Sequence, residues 1–372
     1  MKSVAAFVHL GKSPVKHLWS NLHRHQVLFP DIEPIVILDE LVHLKKLPLG
    51  VKHYVFRREN DFLNDDVFNA HDQNFRRGFW RYSLERLFAL EEFHRQNPHL
   101  RILHIESDVL LLPNFPWKEL EMVDQILWNN YNVDRDVSAL LYFPSYSLHR
   151  TFLDDIQIEL KRNPKHTDMT VLAAVRDLHK SAYSLFPSLS QSQMGLKSPL
   201  NISPEQLIAK ISDNRFFTGG IFDGAPFGMW LAGHDPRNNY GKALIHDSSP
   251  LISGDSVIDP RNVGYEMDAG GNLFIKPLGG SEKLSLWNLH IHSKSLKLFS
   301  DNWTHELRRL VELTEDPKEI PFFSYPALVE MLIQSLKGGT FLRFLVGLPF
   351  IHKIRKWLSP LKRYILSRVE KR

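Results

Sequence analysis

Along the first 125 residues, short apolar runs alternate with longer amphipathic stretches. Runs of β-formers at 4–10, 35–38, 53–56 and 101–105 read as strands. Between them, Ser13-Pro14 opens a helix running toward Phe29, and 77–97 has a long helical pattern stopped by Pro98. Strands separated by helices predict an α/β chain with a mostly parallel sheet flanked by helices, its ligands at the carboxyl ends of the strands.

The middle is less regular. Strand patterns recur at 125–128 and 138–143, and helical ones at 151–162 and 168–178. A stretch rich in Ser, Pro and Gln from 184 to 201 reads as a loop, and Ser203-Pro204-Glu205-Gln206 carries a helix-opening pattern. A glycine-punctuated segment then leads to a late strand at 286–291 and a helix at 301–313. From Tyr325 the character changes. Phe350, Ile351, Ile354, Trp357 and Leu358 recur at helical spacing among Lys353, Arg355 and Lys356, and a second amphipathic helix follows Pro360. The chain thus divides into a body, 1–324, with halves 1–125 and 126–324, and a basic amphipathic helical tail, 325–372.

Charge sharpens that division. From 337 to 372 there are ten Lys/Arg against one acid, Glu370, leaving 36 Lys/Arg against 41 acids elsewhere; the total of +4 hides a body at −5 and a tail at +9. An acidic body argues against nucleic acid as a partner. Apolar stripe, tryptophan and cations suit an interfacial helix on an anionic membrane; the alternative is a helical hairpin packed on the body. Zero cysteines exclude disulfides, a thiolate metal site and a cysteine nucleophile, and fit a reducing cytoplasm. The first apolar run is too short for a signal peptide, and no run of about 18 apolar residues exists to span a bilayer.

The run Leu103-His104-Ile105 ends in Glu106-Ser107-Asp108, followed by Val109-Leu110-Leu111. Residues i and i+2 leave a strand end on one side, so two like charges meet at one point and call for a divalent cation; a solvated turn is the plain alternative. His290-Ile291-His292-Ser293-Lys294 repeats the geometry with imidazoles, to be read as a metal-binding pair or as two partly buried histidines at a helix–sheet junction.

The acid-x-acid setting resembles the GT-A glycosyltransferases, with glutamate at the first position where that family usually has aspartate. The resemblance implies a GT-A-like Rossmann-type fold and Mn²⁺ or Mg²⁺ held by Glu106 and Asp108. Enzymes of this type similar to glycogenin add a late histidine, here His290 or His292, and a lysine on the diphosphate, here Lys294; their fuller late motif is absent from this chain. It further implies a nucleotide-binding half at 1–125, an acceptor half at 126–324, and transfer from a nucleotide sugar, a UDP-sugar first among them, to a hydroxyl acceptor.

Arg77, Arg81 and Arg86, on the helix that feeds the acid strand, are candidates for donor oxygens, with an Arg81–Glu85 i,i+4 pair as the alternative for one of them. Asp223 is a candidate sugar ligand or base, or else a helix cap; Asp168 is a candidate acceptor base, or else a first-turn acid favoured by the helix dipole. His234, Asp235 and Arg237 add further hydrogen-bonding groups. A transferase docked at the inner face of a membrane would act in polysaccharide or lipid-linked glycan synthesis. Two rivals stand beside it: a sugar nucleotidyltransferase, which lacks support from a lysine-bearing glycine loop after the first strand, and a non-catalytic glycan-binding or membrane scaffold.

Overall fold

The computed structural model describes residues 1–11, 16–39, 44, 47–65, 78–132, 134–176, 178–179, 181–188, 212–213, 215–233, 260, 263–277, 283–293 and 295–314. The described residues belong to one compact unit built from Met1–His234 and Leu244–Ile320. The tail, the helix opened by Ser203-Pro204, Arg77, His234, Asp235, Arg237 and Lys294 lie outside them.

The main sheet has seven strands: β1 (Lys2–His9), β2 (Glu33–Leu38), β3 (Lys52–Val55), β4 (Leu100–Ile105), β6 (Ile126–Asn130), β7 (Asp136–Phe143) and β8 (Tyr183–Leu185). Their spatial order is β3–β2–β1–β4–β7–β6–β8. Within this sheet β7 alone runs antiparallel, pairing β4 on one side and β6 on the other. Continuous apolar runs form the central strands because both faces are covered, and alternate residues feed different cores. Val4, Ala6 and Ile102 face Leu84, Leu87 and Phe88 of α2 (Phe79–Gln96). Ala5, Phe7 and Leu103 face Leu18 and Leu22 of α1 (Lys16–Leu28). The architecture is therefore α/β, with a mostly parallel Rossmann-type sheet flanked by helices, as expected.

Four further helices are α3 (Trp117–Glu121), α4 (Tyr146–Arg162), α5 (Asp168–Val175) and α6 (Pro226–Ala232). α4 begins five residues before the expected start, because the Ser145 hydroxyl accepts from Leu148 N and caps an earlier first turn. A second sheet, β10 (Val263–Met267), β11 (Leu273–Pro277), β12 (Leu284–Leu286) and β9 (Gly220–Ile221), packs its own core with Trp303 and Leu307 of α7 (Trp303–Leu313). No described helix is both long and apolar enough to cross a membrane.

One departure from the sequence reading builds the site. The single late strand expected at 286–291 is two strands separated at Trp287: β12 stays in the second sheet, while β13 (Asn288–His290) leaves it. β13 pairs antiparallel with β5 (Val109–Leu111), the short strand after the acid turn, in the register Val109 opposite His290 and Leu111 opposite Asn288.

Candidate metal centre

Glu106-Ser107-Asp108 is the turn between β4 and β5 at the carboxyl edge of the main sheet. Its backbone is held at several points. Glu106 N donates to Ala139 O (3.0 Å) and Ile291 N to Asp108 O (2.7 Å). Asn21 of α1 donates its amide to Ser107 O (3.3 Å) and Val109 O (2.7 Å), and His17 meets Ser107 Oγ at 3.1 Å. A turn tied on both sides aims its two carboxylates without freedom to splay apart.

β13 brings His290 to the same point. Glu106, Asp108 and His290 each offer a ligand atom, and these atoms lie within 4.8 Å of one another. His290 Nε2 is 3.2 Å from Glu106 Oε2 and 3.6 Å from Asp108 Oδ1. Its Nδ1 is 2.8 Å from Gly224 O, a carbonyl that can only accept, so Nδ1 carries the proton and Nε2 faces the acids. An imidazole so oriented by a backbone carbonyl is the usual support of a metal-ligating histidine.

Electrostatics favours a cation here. Two carboxylates about 5 Å apart at an effective dielectric near 20 repel by about 3 kcal/mol. Burial opposes charge on Glu106, but Arg86 and His290 outweigh it and hold this carboxyl well below its usual range. Burial likewise opposes protonation of His290, and its bonds to Asp108 and Glu106 reverse that, pushing the imidazole well up. A proton on Nε2 thus fills the place that a metal ion would take. Two carboxylates and one imidazole, supported from behind, make a donor set that could hold a metal ion.

Arg86 does not face outward as a contact for a donor molecule. It is half-buried, and its guanidinium donates to Glu106, to Ser138 of β7 and to Asp168 (3.0 Å). The expectation that Arg86 meets donor oxygens is therefore corrected: two carboxylates of its own chain occupy its fork. Asp168 starts α5 behind Thr167, whose hydroxyl accepts from Thr170 N, and it too is buried, with burial raising its carboxyl and Arg86 opposing that rise. An acceptor base needs an accessible carboxylate, so that expectation for Asp168 is corrected as well.

Asp223 is a helix cap. Fully buried, it accepts from Phe227 N (3.1 Å), Gly228 N (2.7 Å) and His290 N (2.9 Å). Both its oxygens are committed to backbone donors, which corrects its reading as a base or sugar ligand. Arg81 forms the i,i+4 pair with Glu85 at 2.9 Å, although Glu85 is buried and not solvent-facing, and it also receives Arg58 at 3.2 Å. His292 lies beyond the end of β13, its ring 4.1 Å from that of His290, and is not in the three-residue donor set.

Asn21, Ser138, Gly224, Gly228 and Asn288 went unnoticed in the sequence. The first four act on the acid turn or on His290 through backbone contacts or hydrogen bonds, and Asn288 bonds the backbone of Asp223; only Gly224 and Gly228 left a trace, in the glycine-punctuated segment.

No family model matches this chain, and no curated protein matches it. Among solved structures it overlaps one titled PaToxG Glycosyltransferase, at 14% identity and a TM-score of 0.33, over 48% of this chain and 69% of that one. It also overlaps a bifunctional IspDF from Campylobacter jejuni, at 10% identity and a TM-score of 0.27, over 50% of this chain and 49% of that one. Neither overlap enters the assignment of the site, which rests on the side chains themselves.

Proposed function

We propose that the chain is a metal-dependent glycosyltransferase that moves a sugar from a nucleotide-sugar donor to a hydroxyl acceptor. The observation that carries this reading is the convergence of Glu106, Asp108 and His290 at the carboxyl edge of a mostly parallel α/β sheet. That edge is where such folds place their ligands.

In this reading Glu106, Asp108 and His290 hold Mn²⁺ or Mg²⁺, which when bound supplies Lewis-acid stabilisation of charge on a leaving diphosphate. The bond from the anomeric carbon to the donor diphosphate breaks, a bond to the acceptor oxygen forms, and the hydroxyl proton is released. The chain's own part is preorganisation. Asn21 and the β5–β13 pairing fix the acid turn, Gly224 fixes the His290 tautomer, and Arg86 tempers the repulsion of Glu106 from Asp108. None of these groups has to reorganise when the donor binds, which is the source of most electrostatic catalysis.

A UDP-sugar is the first donor to test. Purified protein with Mn²⁺ should release UDP slowly from its cognate UDP-sugar even without acceptor, and excess EDTA should stop the release. Full activity in EDTA would remove the metal from the mechanism. No release and no binding across a panel of nucleotide sugars would remove the transferase reading.

The body occupies 1–324 in this proposal, and the basic tail, 325–372, docks it on the inner face of an anionic membrane, where a polysaccharide or lipid-linked acceptor is made. Charge is the support: +9 over the last 36 residues, at about 1 kcal/mol per cation near an anionic surface. Sedimentation with anionic vesicles should pull down the full chain at low salt and less of it at high salt, since screening shortens the reach of the cations. Equal recovery with neutral vesicles, or none with anionic ones, would overturn the docking.

A further inference from the structure

We propose that Asp168 and Ser138 are positioning residues which, acting through Arg86, make Glu106 a one-oxygen ligand of the metal centre. The proposal rests on the metal reading above and adds to it the buried groups behind the acid turn.

The two oxygens of Glu106 face different surroundings. Oε1 accepts from Arg86 and lies 3.1 Å from Ser138 Oγ, whereas Oε2 faces His290 Nε2. With Oε1 engaged by a guanidinium and a hydroxyl, only Oε2 is free to reach a cation. Arg86 is in turn divided. One end of its fork is on Glu106, and the other reaches Ser138 Oγ and Asp168 Oδ2. Ser138 accepts from Arg86 and has one proton to give, to Glu106 at 3.1 Å or to Asp168 at 3.3 Å, so the four side chains close a ring.

Charge decides what the ring does. A guanidinium bound to Glu106 alone would draw negative charge away from the oxygen that has to bind a divalent cation. Asp168, 3.0 Å from the other end of the guanidinium, counters part of that pull, and at the start of α5 it sits where a helix favours an anion. Arg86 then acts mainly as a geometric clamp. The arrangement reaches across three elements, α2, β7 and α5, and converges on one atom of β4's trailing turn. A stabilising ion pair does not require that convergence, because Arg86 and Asp168 could pair without touching a ligand.

The test measures Mn²⁺ affinity directly, by electron paramagnetic resonance of free Mn²⁺, beside a thermal melt without metal. Asp168→Asn should raise the Mn²⁺ Kd about 10-fold, the low end of the cost of losing an outer partner of a metal ligand. Ser138→Ala, which changes no charge, should raise it by a smaller factor in the same direction. Asp155→Asn serves as the comparison. Asp155 is also buried, accepting from Tyr183 at 2.5 Å near His179, but it lies on α4 outside the ring. It should lower the melting temperature and leave the Kd unchanged.

Unchanged Kd in folded Asp168→Asn, or an equal Kd loss in Asp155→Asn, would make the ring merely structural. Should Asp168→Asn not fold, Ser138→Ala decides: a wild-type Kd there overturns the proposal. Absence of Mn²⁺ binding by the wild-type protein sinks the metal reading and this inference together, whereas wild-type binding with unaffected variants sinks this inference alone.

Discussion

Asp108→Asn should leave a folded protein whose nucleotide-sugar hydrolysis falls by about 10²–10³-fold, the range seen when one preorganised electrostatic group is deleted from an active site. Asparagine keeps the shape of the side chain and its place beside the His290 imidazole, so packing around β5 has no reason to change. What disappears is one of two negative charges facing the cation. Loss of the charge relieves repulsion from Glu106 but also weakens the pairing with protonated His290, so the two effects oppose and the metal-free melting temperature should change little. The second readout is linkage. A site that binds Mn²⁺ only when folded gains about 2.7 kcal/mol at 100 times its Kd, which the wild-type melt should show as an upward shift. In Asp108→Asn that shift should vanish. A variant that keeps both its hydrolysis and its Mn²⁺-dependent shift would show that the acid turn does not hold the ion.

The half of this site on the acid turn was legible in the sequence for a simple reason. Glu106 and Asp108 follow a mostly apolar strand, and period-2 geometry aims them at one point without any tertiary information. Their partner was legible only as a pair of residues. His290 and His292 are equivalent by spacing, and it is the termination of β13 at His290, with Ile291 N bonded to Asp108 O, that separates them. Nothing local marks that termination, because the strand ends where its antiparallel partner β5 begins, about 180 residues earlier in the chain.

Arg86, Asp168 and Asp223 are hard to place for one reason: the sequence leaves Asp223 open between ligand and helix cap and Asp168 between base and first-turn acid, and polar residues are usually exposed. Asp168 and Asp223 are buried, Arg86 is half-buried, and all three are paired with groups from other elements: Arg86 with Glu106 and Asp168, Asp223 with the backbone of α6 and β13. A buried charge is tolerable only beside its partner, and the pairing depends on strand order, which periodicity does not reveal. The antiparallel β7 is the clearest case. It delivers Ser138 to the carboxyl edge by running against its neighbours, and its apolar pattern is the same as that of a parallel strand.

Gly228→Ala tests the joint between α6 and the metal centre, and it sets two effects against each other. Alanine in a helix is favoured over glycine by about 1 kcal/mol, so propensity alone predicts a gain in stability. Packing predicts the reverse. A Cβ at Gly228 would lie 2.1 Å from His290 O, 2.6 Å from its carbonyl carbon and 2.8 Å from its nitrogen. All three atoms are backbone and cannot rotate away, so α6 or β13 has to move. Overpacking of this kind costs about 1–3 kcal/mol and at times more, which outweighs the gain in propensity. Gly228 N also donates to Asp223 Oδ2, the same oxygen that accepts from His290 N, so displacement of α6 pulls on the cap that fixes His290. The variant should melt lower than wild type and lose its stabilisation by Mn²⁺. Gly220→Ala separates the two losses: its Cβ would lie 2.5 Å from the Trp287 ring and 2.7 Å from Ser285 O, in the second sheet. That substitution should lower the melting temperature while the response to Mn²⁺ survives. His290→Ala should do the opposite, keeping most of the stability and losing the response. If Gly228→Ala melts above wild type with its Mn²⁺ shift intact, the close approach of α6 to β13 is wrong, and with it the account of how His290 is held against Glu106 and Asp108.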